Sequence, residues 1–158
     1  MNNPIRSVMI ASSFGLAASL GVAAPSADGY INSFESAVGA EWSNSTRTTA
    51  ANFSSFLGRF GNSSVTLTLE TTAGEQYRMA YDLYIIDSWD GNSASWGNDY
   101  FNIAVDGASV FHESFTNGAS GVSTWTGPRS AGGPGVNLGF ASNWADWIYR
   151  GMGVDFIA

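Results

Sequence analysis

Between Tyr81 and His112 the chain reads YDLYIIDSWDGNSASWGNDYFNIAVDGASVFH, and this run restricts what the rest can become. Tyr81 to Ile86 is apolar and aromatic throughout, except for Asp82. Phe101, Ile103 and Val105 alternate with Asn102, Ala104 and Asp106, the two-residue period of a half-buried strand. Asp106-Gly107 is a hairpin dipeptide, because a tight two-residue turn needs positive φ at its centre. Val110 and Phe111 then resume the apolar pattern. The expectation is strand, acidic loop, strand, turn, strand.

The flanking sequence follows the same rule. Val65, Leu67 and Leu69 alternate with Thr66, Thr68 and Glu70 in the cleanest amphipathic strand of the chain. Thr72 to Glu75 reads as a turn. Tyr77, Met79, Tyr81, Leu83 and Ile85 share one face of a long strand. Tyr30 to Phe34 is expected to be a first strand, and Glu35 to Trp42 a turn into a second. Ser43 to Asn52 suits a loop, which Phe53, Phe56 and Phe60 anchor to the core. Short strands are also predicted near Trp125 and over Val136 to Phe140. Met152, Val154 and Phe156 alternate into a last strand. No segment outside the first residues carries a sustained 3.6-residue apolar period, and no repeat of 20 to 50 residues occurs. Nineteen glycines in 158 residues supply turns between many short strands. The predicted fold is all-β, an antiparallel β-sandwich of jelly-roll type.

Residues 1–27 read as a secretory signal: Arg6 supplies the positive start, Val8 to Ala24 is apolar and small, and small residues follow. The apolar run is shorter than the roughly 20 residues of a membrane span. Cleavage after Ala23, Ser26 or Ala27 leaves a single domain over 28–158 with no span in the mature chain, secreted or on the cell surface. Six basic residues, all arginine, face thirteen acids for a net charge of −7. That excludes nucleic acid, whose phosphates need a basic surface, and electrostatic docking on anionic lipid. The chain has no cysteine, so disulfides and thiol chemistry play no part.

The acidic loop is the one candidate site. Asp87, Asp90, Asn92 and Asp99 lie in or beside it. Calcium takes six to eight oxygens from carboxylates, amides and carbonyls, and these four residues are its candidate ligands, although their spacing is not that of an EF-hand. The competing reading is that they cap turns. Trp89, Trp96 and Tyr100 flank the loop. Flat rings stack on sugars, with neighbouring carboxylates and amides to take hydroxyls; equally, such rings pack under a loop and bury their area. Trp42, Trp125, Trp144 and Trp147 are assigned to the core or to loop packing.

Catalysis has little to stand on. His112 is the only histidine and sits in a strand pattern. No Gly-x-Ser-x-Gly elbow occurs. The Glu-x-Asp-x-x-Glu strand of sandwich hydrolases, with its two working carboxylates, is also missing; Glu113 stands alone.

Three stretches, FESAVGAEWSNS at Phe34 to Ser45, FLGRFGNSSVTLTL at Phe56 to Leu69 and YDLYIIDSWDGN at Tyr81 to Asn92, together resemble an uncharacterised family of secreted bacterial β-sandwich modules. The resemblance covers most of Phe34 to Phe156. It implies a jelly-roll or lectin-like sandwich on a cell surface or in a matrix, and no established activity. Members usually continue past the strand matching Gly153 to Ile157, so the resemblance implies closing strands that are missing after Ala158. The expected function is a secreted, non-catalytic binding module for glycan or matrix, with calcium as a candidate cofactor. The alternative is a structural or adhesive surface protein with no small ligand.

Overall fold

The computed structural model describes residues 5–11, 24–50, 54–93, 95, 97–117, 122–126, 138–140 and 146–158, the first group as backbone alone. The described residues are all-β: β1 Ile5–Ala11, β2 Arg47–Thr49, β3 Ser55–Leu57, β4 Ser64–Glu70, β5 Gln76–Ile85, β6 Asn92–Ser93, β7 Gly97–Asn98, β8 Tyr100–Val105, β9 Ala108–Ser114 and β10 Trp147–Ile157. Every pairing between these strands is antiparallel. A four-stranded sheet runs β4-β1-β8-β9, and β5 pairs with β10; β2-β3 and β6-β7 are small hairpins.

The arrangement is sandwich-like because the two larger sheets share an interior. Leu67 and Leu69 of β4, Ile103 and Val105 of β8, and Val154 of β10 form one buried cluster, with Met79 and Tyr81 of β5 against it. A second cluster continues it with Leu83, Ile85, Phe115, Tyr149 and Met152. The opposite face of β5-β10 carries Ile148, which packs with Ala50, Phe56 and Leu138. There Phe56 stacks on Tyr84 with ring centroids 4.7 Å apart.

The alternating strands occur where the apolar period places them. Along β4, Val65, Leu67 and Leu69 are buried and their neighbours are half-buried. The β8-β9 turn is Asp106-Gly107 with φ of +50° and +83°, the geometry that dipeptide favours. Two β-bulges explain breaks in alternation. The β8-β9 register slips at Ile103/Ala104, so that Val110 has no direct partner, and the adjacent Val110 and Phe111 both pack on the interior. The β5-β10 register slips between Tyr149 and Met152, with Gly151 at φ +64°. One extra residue returns Met152 to the face that Tyr149 occupies.

Several expectations need correction. Tyr30 to Phe34 is not a strand: Phe34 has φ +60°, and its N–H is taken by Asn32 Oδ1 at 2.8 Å, a local Asn turn that competes with a ladder. Glu35 to Trp42 holds no strand, only a bridge from Trp42 to Leu67. Ser43 to Asn52 is not all loop, since β2 lies within it. Trp125 belongs to no strand and packs in the second cluster. In the predicted strand Val136 to Phe140, residues 138–140 are not strand; 136 and 137, like Phe53 and Trp144, lie outside the described residues. Part of the predicted leader, Ile5–Ala11, is a strand of the sheet. No helix of the described residues is long and apolar enough to cross a membrane.

Candidate functional site

The acidic loop links β5 to β8 and is itself a miniature hairpin. Asn92 pairs with Asn98 and Ser93 with Gly97. At its neck the Asp99 carboxylate accepts the Asp90 N–H at 2.6 Å, and the Asp99 N–H donates to the Gly91 carbonyl at 3.0 Å. Gly91 must be glycine. Its φ is +66°, and a Cβ there would come within 2.5 Å of the Val122 carbonyl oxygen.

Asp87, where β5 ends, is a junction for three other segments. Its N–H donates to Asp146 Oδ1 at 3.3 Å. Its carbonyl accepts from the Asn117 amide. Its carboxylate pairs with Arg59, whose guanidinium also lies 4.7 Å over the Phe140 ring. Asp146 is 2% exposed, and its second oxygen accepts the Leu138 N–H at 3.1 Å. Asn117 holds Trp89 at both ends of its peptide unit: its side chain accepts the Trp89 N–H at 2.9 Å, and its N–H donates to the Trp89 carbonyl at 3.1 Å.

The four candidate metal ligands therefore do different things. Asp87 is bound to Arg59, Asp99 caps Asp90, Asp90 itself forms an isolated antiparallel bridge with Thr116, and Asn92 belongs to the small hairpin, its N–H donating to the Val122 carbonyl at 2.8 Å. Among the described residues no group of three or more acidic or histidine side chains is placed to share a metal ion. A shallow polar depression elsewhere is lined by Asp28, Thr72, Glu75, Gln76 and Tyr77, none of them from the loop.

The three candidate ligand-binding rings also part company. Trp89 packs against the second core cluster, its ring edge-on to Phe115 at 6.5 Å. Trp96 lies outside the described residues. Tyr100 is on the outer face of β8, because Phe101, Ile103 and Val105 take the inner one. Its ring stacks on His112 at 4.3 Å with an interplanar angle of 19°. His112 is exposed and its Nδ1 meets the Asn102 side-chain oxygen. Asn102 and His112 are direct partners across β8-β9. This outward trio of two rings and an amide is the surface cluster in the region best suited to meeting a ligand. Alternation alone puts Asn102 beside Tyr100, but pairing His112 with them needed the β8-β9 register.

Arg59, Asn117 and Asp146 were missed from sequence. Each lies 28 to 59 residues from Asp87, beyond any local pattern; only the isolated Asp before an aromatic strand in DWIYRG hinted at one of them. No protein-family model, no curated protein and no solved structure matches this chain.

Proposed function

We propose that the protein is a secreted, non-catalytic binding module that engages glycan or an extracellular-matrix component through the outer face of β8-β9. The observation that carries this is the stacked Tyr100–His112 pair beside Asn102 on the outer strand face, with His112 exposed and Tyr100 and Asn102 half-buried. Aromatic faces stack on the apolar side of a sugar ring, and an amide can both donate to and accept from its hydroxyls. The resemblance of the FLGRFGN and IDSWDGN stretches to secreted modules supports the extracellular setting and a jelly-roll connectivity. His112 has a neighbouring amide and a ring rather than a nucleophile to activate, which supports binding over catalysis. Calcium, if it binds, would have to draw Asp87 from Arg59.

The second reading is a structural or adhesive surface protein without a small ligand. It is favoured by the acidic loop itself, where the Asp87 and Asp99 carboxylates and Trp89 are spent on internal bonds and packing. A glycan array on the protein separates the two. Saturable, sugar-competable binding that Tyr100→Ala removes and Trp89→Phe retains is expected. Binding to no glycan, or binding indifferent to Tyr100→Ala, would reject the proposal.

A further inference from the structure

The strand β1 sits between β4 and β8, in register from Ile5 opposite Glu70 to Ala11 opposite Ser64 on one side, and from Val8 opposite Val105 to Ala11 opposite Asn102 on the other. Every cleavage point that the leader pattern allows lies after Ala11, so maturation there would remove this strand from the middle of a sheet. Two strand spacings, about 10 Å, would then separate β4 from β8.

That gap is not one the sheet can close simply. Both neighbours are antiparallel to β1, so β4 and β8 run parallel to each other, and direct pairing would need a different ladder. The far edge of β4 is already held. Thr66 O accepts from Ser43 N, Thr68 N donates to Glu41 O, and Glu70 donates its N–H to the Pro25 carbonyl and accepts the Ala27 N–H on its own carbonyl, at 2.7 to 2.9 Å. Because alternate residues of a strand point their backbone groups to opposite edges, Val65, Leu67 and Leu69 direct theirs into the gap. The Leu67 and Leu69 side chains are fixed as well, packed with Ile103, Val105 and Val154, and Val65 is buried. The far edge of β8 is occupied by β9. The vacated gap is thus a pair of prealigned backbone rows over a buried apolar floor, and unpaired buried backbone groups are costly.

We propose that the space between β4 and β8 is a strand-acceptor site. In the full chain Ile5–Ala11 fills it. Once that segment has gone, an extended strand donated by a partner polypeptide takes its place, antiparallel to both neighbours, with apolar residues at the alternate positions opposite Leu67 and Val105 and opposite Val65 and Ile103. Backbone pairing supplies the affinity of such strand addition and alternate side chains the specificity. Its setting in the cell rests on the leader reading; the acceptor itself does not.

The test uses the full chain, with a specific-protease site inserted between Ala11 and Ala24, folded and then cut. The probe is a labelled synthetic peptide spanning residues 2–13. The N-terminal piece is expected to stay with the body through gel filtration and to exchange for labelled peptide in a saturable way. A peptide carrying Val8→Pro should compete about tenfold more weakly or worse, since proline removes a ladder donor in mid-strand. If the cut protein aggregates, monomer restored by excess peptide supports the site, and failure of the peptide to restore it counts against the site. Prompt release of the piece, leaving a monomer with an unchanged melt and no peptide uptake, would overturn the proposal. Mass spectrometry of exported protein reports separately on the leader: an intact Met1 would sink its removal and leave the acceptor standing.

Discussion

Asp87 has φ +63°, a region where a β-carbon is crowded and where Asp and Asn are tolerated better than most residues. Its ion pair with Arg59 is about two-fifths exposed on each side, so that contact alone is worth ~0–1 kcal/mol. The conformation and the knot around it matter more. Asp87→Ala is expected to lose about 1–2 kcal/mol, and Asp87→Gly less, because glycine removes the strain as it removes the carboxylate. Asp146→Ala should be worse, at roughly 2–4 kcal/mol, since it orphans the Asp87 and Leu138 amides in a buried place. Chemical denaturation of the three variants gives the order; an Asp87→Gly no better than Asp87→Ala would reject the strain argument. Tyr81 is the opposite case. Its hydroxyl is buried with no hydrogen-bond partner among the described residues, and burial pushes its pKa above the ordinary tyrosine range. Tyr81→Phe removes an unsatisfied group and should be neutral or stabilising. The sign of the pH effect follows from the same fact. The folded state holds the phenol proton more tightly, so Tyr81 contributes fully below the unfolded pKa near 10 and progressively less as pH rises above it. Melting curves at pH 8 and above 10 should show a smaller alkaline loss in Tyr81→Phe than in the parent.

Within the elements, the acidic loop shows that similar glycines carry different constraints. Gly91 and Gly97 both have positive φ, but a Cβ on Gly91 would strike the Val122 backbone whereas one on Gly97 meets nothing within 4 Å. Gly97→Ala should cost about 1 kcal/mol from conformation alone, and Gly91→Ala about 2–4 kcal/mol from conformation and clash together. Equal costs would mean that the Val122 segment does not press on the loop. The same comparison marks what could be read in advance. The strands β4, β5 and β8 were legible because one face is apolar at every second position, and the β8-β9 turn because Asp-Gly has few other uses. Tyr30 to Phe34 has similar alternation and is no strand. There the Tyr30 hydroxyl donates to Glu41 Oε1 at 2.6 Å and accepts from Trp42 Nε1 at 2.7 Å, and a long-range side-chain network overrode the local pattern. The candidate site was legible as a loop rich in oxygens, but their use was not. Whether a carboxylate faces a cation, an arginine or a backbone amide depends on Arg59, Asn117 and Asp146, which only the fold brings to it.

At the scale of the molecule, seven excess negative charges decide how salt should act, and through it whether calcium is specific. Among the described residues Arg59 pairs with Asp87, Arg78 with Asp155 and Arg150 with Asp82. All are substantially exposed, so screening costs little by weakening them. Screening of the net repulsion in the compact state acts the other way, and the balance favours a melting temperature that rises with sodium chloride between 0.05 and 0.5 M. Calcium would produce some of that rise merely as an ion, so the comparison must hold ionic strength constant. A site that binds only the folded state adds about 2.7 kcal/mol at a hundredfold excess over its dissociation constant, which for a domain of this size is several degrees. Because Asp87 is committed to Arg59 and Asp99 to the Asp90 amide, the expected result is no calcium-specific increment in the parent protein. Arg59→Gln sharpens the test, for it removes the positive charge that the Asp87 carboxylate faces and changes no residue of the loop. If calcium then stabilises the variant and not the parent, the arginine is what occupies the cation position. If calcium stabilises the parent by several degrees beyond matched sodium chloride, and Asp90→Asn or Asp99→Asn abolishes the effect, the loop is a metal site and its carboxylates rearrange to make one.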